Sequence, residues 1–131
     1  MTLEETVATV RNPRLIPIWV ALWAGALLSI GQAQAHAKLV TAAPAPHATV
    51  AAPKSIQLQF SEAIAKKLSS AKLTDTAGNE VATMPMATKD AKSVAIMPNS
   101  TLVAGVYTVT WTAVSTDDGH KMTGHYSFTV Q

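Results

Sequence analysis

An all-β fold is predicted for residues 36–131: an Ig-like or Greek-key antiparallel β-sandwich or barrel, preceded by an N-terminal signal helix. Three observations predict it. Apolar and polar residues alternate at period two in several short runs. Turn residues (Pro, Gly, Asn, Asp) separate those runs. No segment after residue 35 carries a long 3.6-residue apolar period, and Ala63 to Ser70 could make one helical turn at most.

The leader comes first. Arg11 and Arg14 form a positive flank, and Leu15 to Ile30 is a nearly unbroken apolar stretch. Small residues at Ala33 and Ala35 then fit a signal-peptidase site, with cleavage before His36. The apolar run is about 16 residues, below the ~20 that span a bilayer comfortably. Pro17 weakens it further as a long helix. Residues 1–35 are therefore expected to be a removed signal peptide, and residues 36–131 one exported domain with no stable membrane insertion.

Strand signals follow in order. Lys38-Leu39-Val40 reads as a short first strand, and Pro44, Pro46 and Pro53 punctuate a loop. Ile56, Leu58 and Phe60 alternate with Gln57 and Gln59. Ala71 to Thr76 is a further candidate, closed by Gly78-Asn79. Met84-Pro85-Met86 reads as loop, and Ser93 to Met97 as a strand ended by Pro98, with Met97 buried. Val106 to Ala113 is the clearest strand, with Tyr107, Val109, Trp111 and Ala113 on one face. Tyr126, Phe128 and Val130 alternate in the closing strand. Trp111, Phe60, Phe128 and Tyr126 are the expected anchors of the core.

Composition narrows the chemistry. The chain has 131 residues, enough for one domain, and a net charge of +2. No basic run or aromatic ladder suited to tracking phosphates is present, so a nucleic-acid partner is not expected. There is no cysteine, which excludes thiolate metal sites, thiol nucleophiles and disulfides together. All four histidines, His36, His47, His120 and His125, follow the expected cleavage point. An N-terminal histidine offers its α-amine and its imidazole Nδ1 to one metal as a chelate. These groups have ordinary pKa values near ~8 and ~6.5, so both become donors near neutral pH. A second imidazole would complete a three-nitrogen set, and a carboxylate would offset the ion's charge. Nitrogen-rich tetragonal sites favour Cu(II). Asp118-Gly119-His120 offers an acid and an imidazole two residues apart, with a glycine that lets the loop bend. His47 reads as a surface residue, and His125 as facing away from His120.

The sequence resembles the CopC/PcoC family of periplasmic copper-binding proteins, which includes YobA-like members. The resemblance is carried by His36-Ala37-Lys38-Leu39-Val40, Pro44-Ala45, Ala52-Pro53, Ile56 through Glu62, Ala104 through Trp111, Ala113-Val114-Ser115, Asp118-Gly119-His120 and Thr123-Gly124. It implies one Cu(II) ion held by His36, His120 and Asp118, with Glu62 in a supporting or weak axial role. The loop Ser115-Thr116-Asp117-Asp118-Gly119-His120 is one residue longer than the usual family form. Asp118 keeps the acid-x-His spacing and is preferred to Asp117, which stays open as the alternative. Some members carry a methionine-rich Cu(I) loop. With only Met84 and Met86 there, no strong Cu(I) site is expected.

The function implied is that of a non-enzymatic periplasmic copper carrier or buffer in copper homeostasis or resistance. It would pass its ion to an inner-membrane copper transport protein. Two other classes compete. One is a copper monooxygenase-like enzyme, disfavoured by the short chain and the few aromatics. The other is a metal-free β-sandwich interaction module.

Overall fold

The computed structural model describes residues 37–131. The expected leader and its cleavage point, and His36 itself, lie outside the described residues. Nine strands are present among them and no helix: β1 Leu39–Ala43, β2 Thr49–Val50, β3 Ile56–Phe60, β4 Ser70–Thr74, β5 Glu80–Val81, β6 Thr83–Met86, β7 Ser93–Pro98, β8 Gly105–Val114 and β9 Lys121–Val130. They form a four-stranded sheet in the order β1-β3-β7-β6 and a five-stranded sheet in the order β2-β9-β8-β4-β5. Every pairing is antiparallel except β2 with β9, which is parallel. The expected β-sandwich is therefore the fold observed.

Alternation determines which face each strand buries. Ile56, Leu58 and Phe60 of β3 are buried while Gln57 and Gln59 between them are exposed. In β8, Tyr107, Val109, Trp111 and Ala113 are all buried, as their shared face requires. Tyr126, Phe128 and Val130 of β9 complete that side of the core. The two sheets meet where Phe60 of β3 packs edge-on against Trp111 of β8, with ring centroids 5.1 Å apart and planes at 66°. Burying a side chain such as Phe60 stabilises the fold by roughly 1.5–3 kcal/mol, and the edge-to-face pair adds about 0.5–1.5 kcal/mol. Beneath Trp111, β9 carries Gly124 directly opposite it in register. A Cβ there would lie 2.4 Å from the indole ring, so the glycine makes room for the tryptophan.

Several boundaries differ from the sequence reading. Met84-Pro85-Met86 is not loop but most of β6, paired with β7. Its proline is tolerated because β6 is an outer strand of its sheet. Pro98 is the last residue of β7, as the sequence predicts, and it pairs with Thr83 of the outer strand beyond the reach of the β3 ladder. Met97 is not buried. It lies opposite Met84 and is 40% exposed. The last strand begins at Lys121, well before Tyr126, because the full length of β8 offers it a partner. Strands β2 and β5, each of two residues, have too little pattern to be read from sequence.

Candidate metal centre at one end of the sandwich

Four chain segments meet at the same end of the sandwich. The first is the start of the described chain. Lys38 donates its backbone N–H to Ser61 Oγ at 2.9 Å, and Ser61 returns its N–H to the Lys38 carbonyl at 2.9 Å. Ala37, just upstream, is only 1% exposed. The chain is thus bound to the fold within two residues of His36. The second segment, residues 61–66, leaves β3 and crosses to the other sheet. It carries Glu62, whose Oε1 is buried and has no hydrogen-bond partner among the described residues. A buried carboxylate oxygen without a donor is costly, which marks a place where a cation or donor would be accepted.

The third segment is the loop Ser115–His120. Thr116 donates its N–H to the Ala63 carbonyl at 3.1 Å, and Ala65 donates to Val114 O at 2.8 Å. The N-terminal side of this loop is thereby tied to residues that follow Glu62. The loop closes on itself through Ser115 N–H to His120 O and Gly119 N–H to Ser115 O, both 3.0 Å. Gly119 sits at φ +70°, a conformation glycine adopts without strain. Asp118 Oδ1 accepts the His120 N–H at 2.9 Å. That bond, aided by Ser115 and by the nearby His120 ring, holds the Asp118 carboxyl below its ordinary pKa despite some desolvation. Asp118 is therefore an anion at neutral pH, and both it and His120 are exposed. Ser115 is the buried polar residue on which the loop turns, and its Oγ accepts the Asp117 N–H at 3.2 Å. The fourth segment, residues 87–92, joins β6 to β7 and lies against residues 60–64.

Asp118 and His120 thus share one tight loop, and Glu62 lies on the neighbouring segment. Among the described residues, however, no three His, Asp or Glu side chains stand close enough to hold a metal by themselves. Glu62, Asp118 and His120 do not form a complete donor set on their own. His47 is separated from this end. Its N–H bonds to Ser127 O at 2.7 Å, which is roughly 20 Å along β9 from Lys121 at ~3.4 Å per residue. His125 faces outward from β9, opposite Thr110.

With this geometry in view, comparison with known proteins identifies the family. Residues 39–131 match the family model described as the CopC domain. The chain belongs to the CopC family. It is 42% identical to Copper resistance protein C of Pseudomonas syringae pv. tomato over 120 residues, covering 86% of this chain and 94% of that protein. It is 41% identical to Protein YobA of Escherichia coli (strain K12) over 100 residues, covering 74% and 80%. The crystal structure of PcoC, a methionine-rich copper resistance protein from Escherichia coli, superposes with a TM-score of 0.68 at 44% identity, covering 74% of this chain and all of that one. The resemblance carried by the sequence blocks is borne out.

In this CopC-family chain the methionines are better organised than the sequence suggests. Met84 lies opposite Met97, and Met86 follows on the same outer face of β6. Met84 is 54% exposed and Met86 38%. Cβ atoms of directly opposed residues lie about 4.5–5.5 Å apart, and diagonal neighbours about 7–8 Å, so three long thioether side chains can meet. Recognising Met97 as the third member needed the β6–β7 register. The remaining signal that sequence reasoning missed is Ser61, whose two bonds to Lys38 link segments far apart in the chain.

Proposed function

We propose that this protein is an exported copper carrier or buffer that catalyses no reaction, holds one Cu(II) ion with His36, His120 and Asp118, and delivers it to an inner-membrane transport protein. Signal cleavage before His36 places the protein in the periplasm and creates the chelating amine. The carrying observation is the reciprocal pair of hydrogen bonds between Lys38 and Ser61. It holds the chain start beside Glu62, and the Ala63–Thr116 bond joins that segment to the Asp118–His120 loop. His36 precedes Lys38 by two residues, a reach of at most about 7 Å. Names of relatives such as Copper resistance protein C support the same cargo. Asp118 supplies charge compensation, His120 supplies imidazole nitrogen, and the orphan oxygen of Glu62 faces an unmet electrostatic demand. Exposure of the Asp118–His120 loop suits ligand exchange during handover.

The test compares the chain beginning at His36 with one carrying an extra residue before it, in competition titrations with Cu(II). The extension converts the α-amine to an amide, and affinity is expected to fall at least tenfold. It should also weaken as pH drops and both nitrogen donors protonate. Equal affinity in the two forms defeats the chelate.

A second reading is favoured by the methionine face. The expectation of no strong Cu(I) site assumed two thioethers in a flexible loop, whereas Met84, Met86 and Met97 project from paired strands. Thioethers select Cu(I), so this face is a candidate for one Cu(I) ion. Replacing Met84 and Met97 by Leu should abolish Cu(I) uptake and leave Cu(II) uptake intact, and retained Cu(I) binding overturns it.

A further inference from the structure

We propose that Lys66 is a positioning residue for the metal corner: its ammonium group clamps the β6–β7 connection onto residues 61–66, the segment on which the corner is assembled. In its link to copper this inference rests on the function proposed above. An ammonium carries three donors, and here all three find oxygen. Lys66 Nζ donates to Thr88 Oγ1 at 2.6 Å, to the Asp90 carbonyl at 2.6 Å and to the Ser93 carbonyl. An exposed lysine seldom holds one geometry, because fixing its long stem costs rotamer entropy. Three acceptors gathered from one connection offset that loss.

The receiving connection is itself pre-shaped. Asp90 accepts the Lys92 N–H at 2.8 Å, the Ser93 hydroxyl at 3.0 Å and the Gln59 amide at 3.3 Å. The bonds from Lys92 N–H and then the Ser93 hydroxyl hold its carboxyl below the ordinary range. Two backbone bonds complete the seam: Phe60 N–H to Lys92 O at 2.8 Å and Ile64 N–H to Ala91 O at 3.0 Å. On its other side the same segment binds the chain start through Ser61 and the Asp118–His120 loop through Ala63. Lys66 therefore locks from behind the segment that the site uses from in front. Loosening the lock releases Glu62, the Lys38 anchor and the loop contact together.

The experiment uses the exported protein, its Lys66→Met, Glu62→Gln and double variants, and Thr88→Val as a milder perturbation that removes one acceptor. Four quantities are measured: Tm, Cu(II) affinity by competition, the electron paramagnetic resonance spectrum of the copper form, and amide hydrogen exchange at Ile64 and Thr116 without metal. Lys66→Met should weaken Cu(II) binding roughly 10–100-fold, the range for groups that orient metal ligands. It should also shift the copper spectrum and speed exchange at both amides, with Thr88→Val moving all three in the same direction by less. The double variant should bind little worse than the weaker single variant, because both act through one segment. Unchanged affinity and spectrum, with only Tm lowered, overturn the positioning role. A wild-type protein that takes up no Cu(II) instead overturns the copper reading. The clamp is then decided by exchange, and unaltered protection at Ile64 and Thr116 in the Lys66→Met and Thr88→Val variants overturns it.

Discussion

Substituting Gly124 by Ala tests the packing between the two sheets. The new Cβ would meet Trp111 ring atoms at 2.4, 2.6 and 3.0 Å, whereas carbon–carbon contacts settle at about 3.5–4.0 Å. The indole must retreat by about 1 Å, and Phe60, whose centroid is 5.1 Å away, lies against it. Overpacking of this kind costs about 1–3 kcal/mol, and a disturbed aromatic pair forfeits part of another ~0.5–1.5 kcal/mol. Alanine returns roughly 0.4–1 kcal/mol by restricting the unfolded chain. The net destabilisation is about 1–3 kcal/mol, which for a domain this small lowers Tm by roughly 5–20 °C. Thermal unfolding followed by circular dichroism and tryptophan emission measures it. Trp19 and Trp23 belong to the proposed leader, so Trp111 is the reporter in the exported chain. Pairing the change with Trp111→Phe, a smaller ring, should shrink the effect of Gly124→Ala. Unchanged Tm and emission in Gly124→Ala would refute the close approach.

Two other perturbations follow from groups already described. Tyr126 buries its hydroxyl without a partner among the described residues, and burial pushes its pKa up to about 12. Tyr126→Phe should therefore be neutral or stabilising by up to ~1 kcal/mol. In the native protein the phenol stays protonated where the unfolded chain has begun to ionise, so stability should decline as pH rises from about 10 to 12. Urea midpoints for the two proteins across that range should show the slope reduced in the Phe variant. For Asp118 the sign is opposite, because its native pKa is lowered. Its contribution to the metal-free fold is present above about pH 4 and is lost as pH falls through the native value. Asp118→Asn should remove that acid-side slope in Tm and lower Tm slightly at pH 7, where the wild-type carboxylate still contributes. In the same variant Cu(II) affinity should drop at least tenfold, and undiminished binding would point to Asp117 as the acid ligand.

Strands β3 and β8 were legible because each buries one face and wets the other, so composition and position agree. Strand β6 was not, since proline and methionine carry loop signals and only its outer position in the sheet makes them acceptable. The first half of β9 was hidden for a related reason: Gly124 and His125 are poor strand formers, and the ladder with β8 overrides them. Met97 looked buried because it is apolar, but the face a strand residue occupies is set by register. At the candidate site, the Asp118-Gly119-His120 loop could be read directly, since its turn chemistry is local. The ties from Lys38 to Ser61, Ala63 to Thr116 and Lys66 to Thr88 join residues distant in the chain. No local pattern announces them.

Pro85, in the outermost strand of the four-stranded sheet, also bears on how the molecule meets its own copies. An open strand offers a row of amide hydrogens to any extended chain that drifts alongside. A pyrrolidine nitrogen has no hydrogen to give. Within a strand of only four residues, that gap interrupts the row of donors. The residue that obscured the strand in the sequence thus leaves the edge of the folded sheet one donor short.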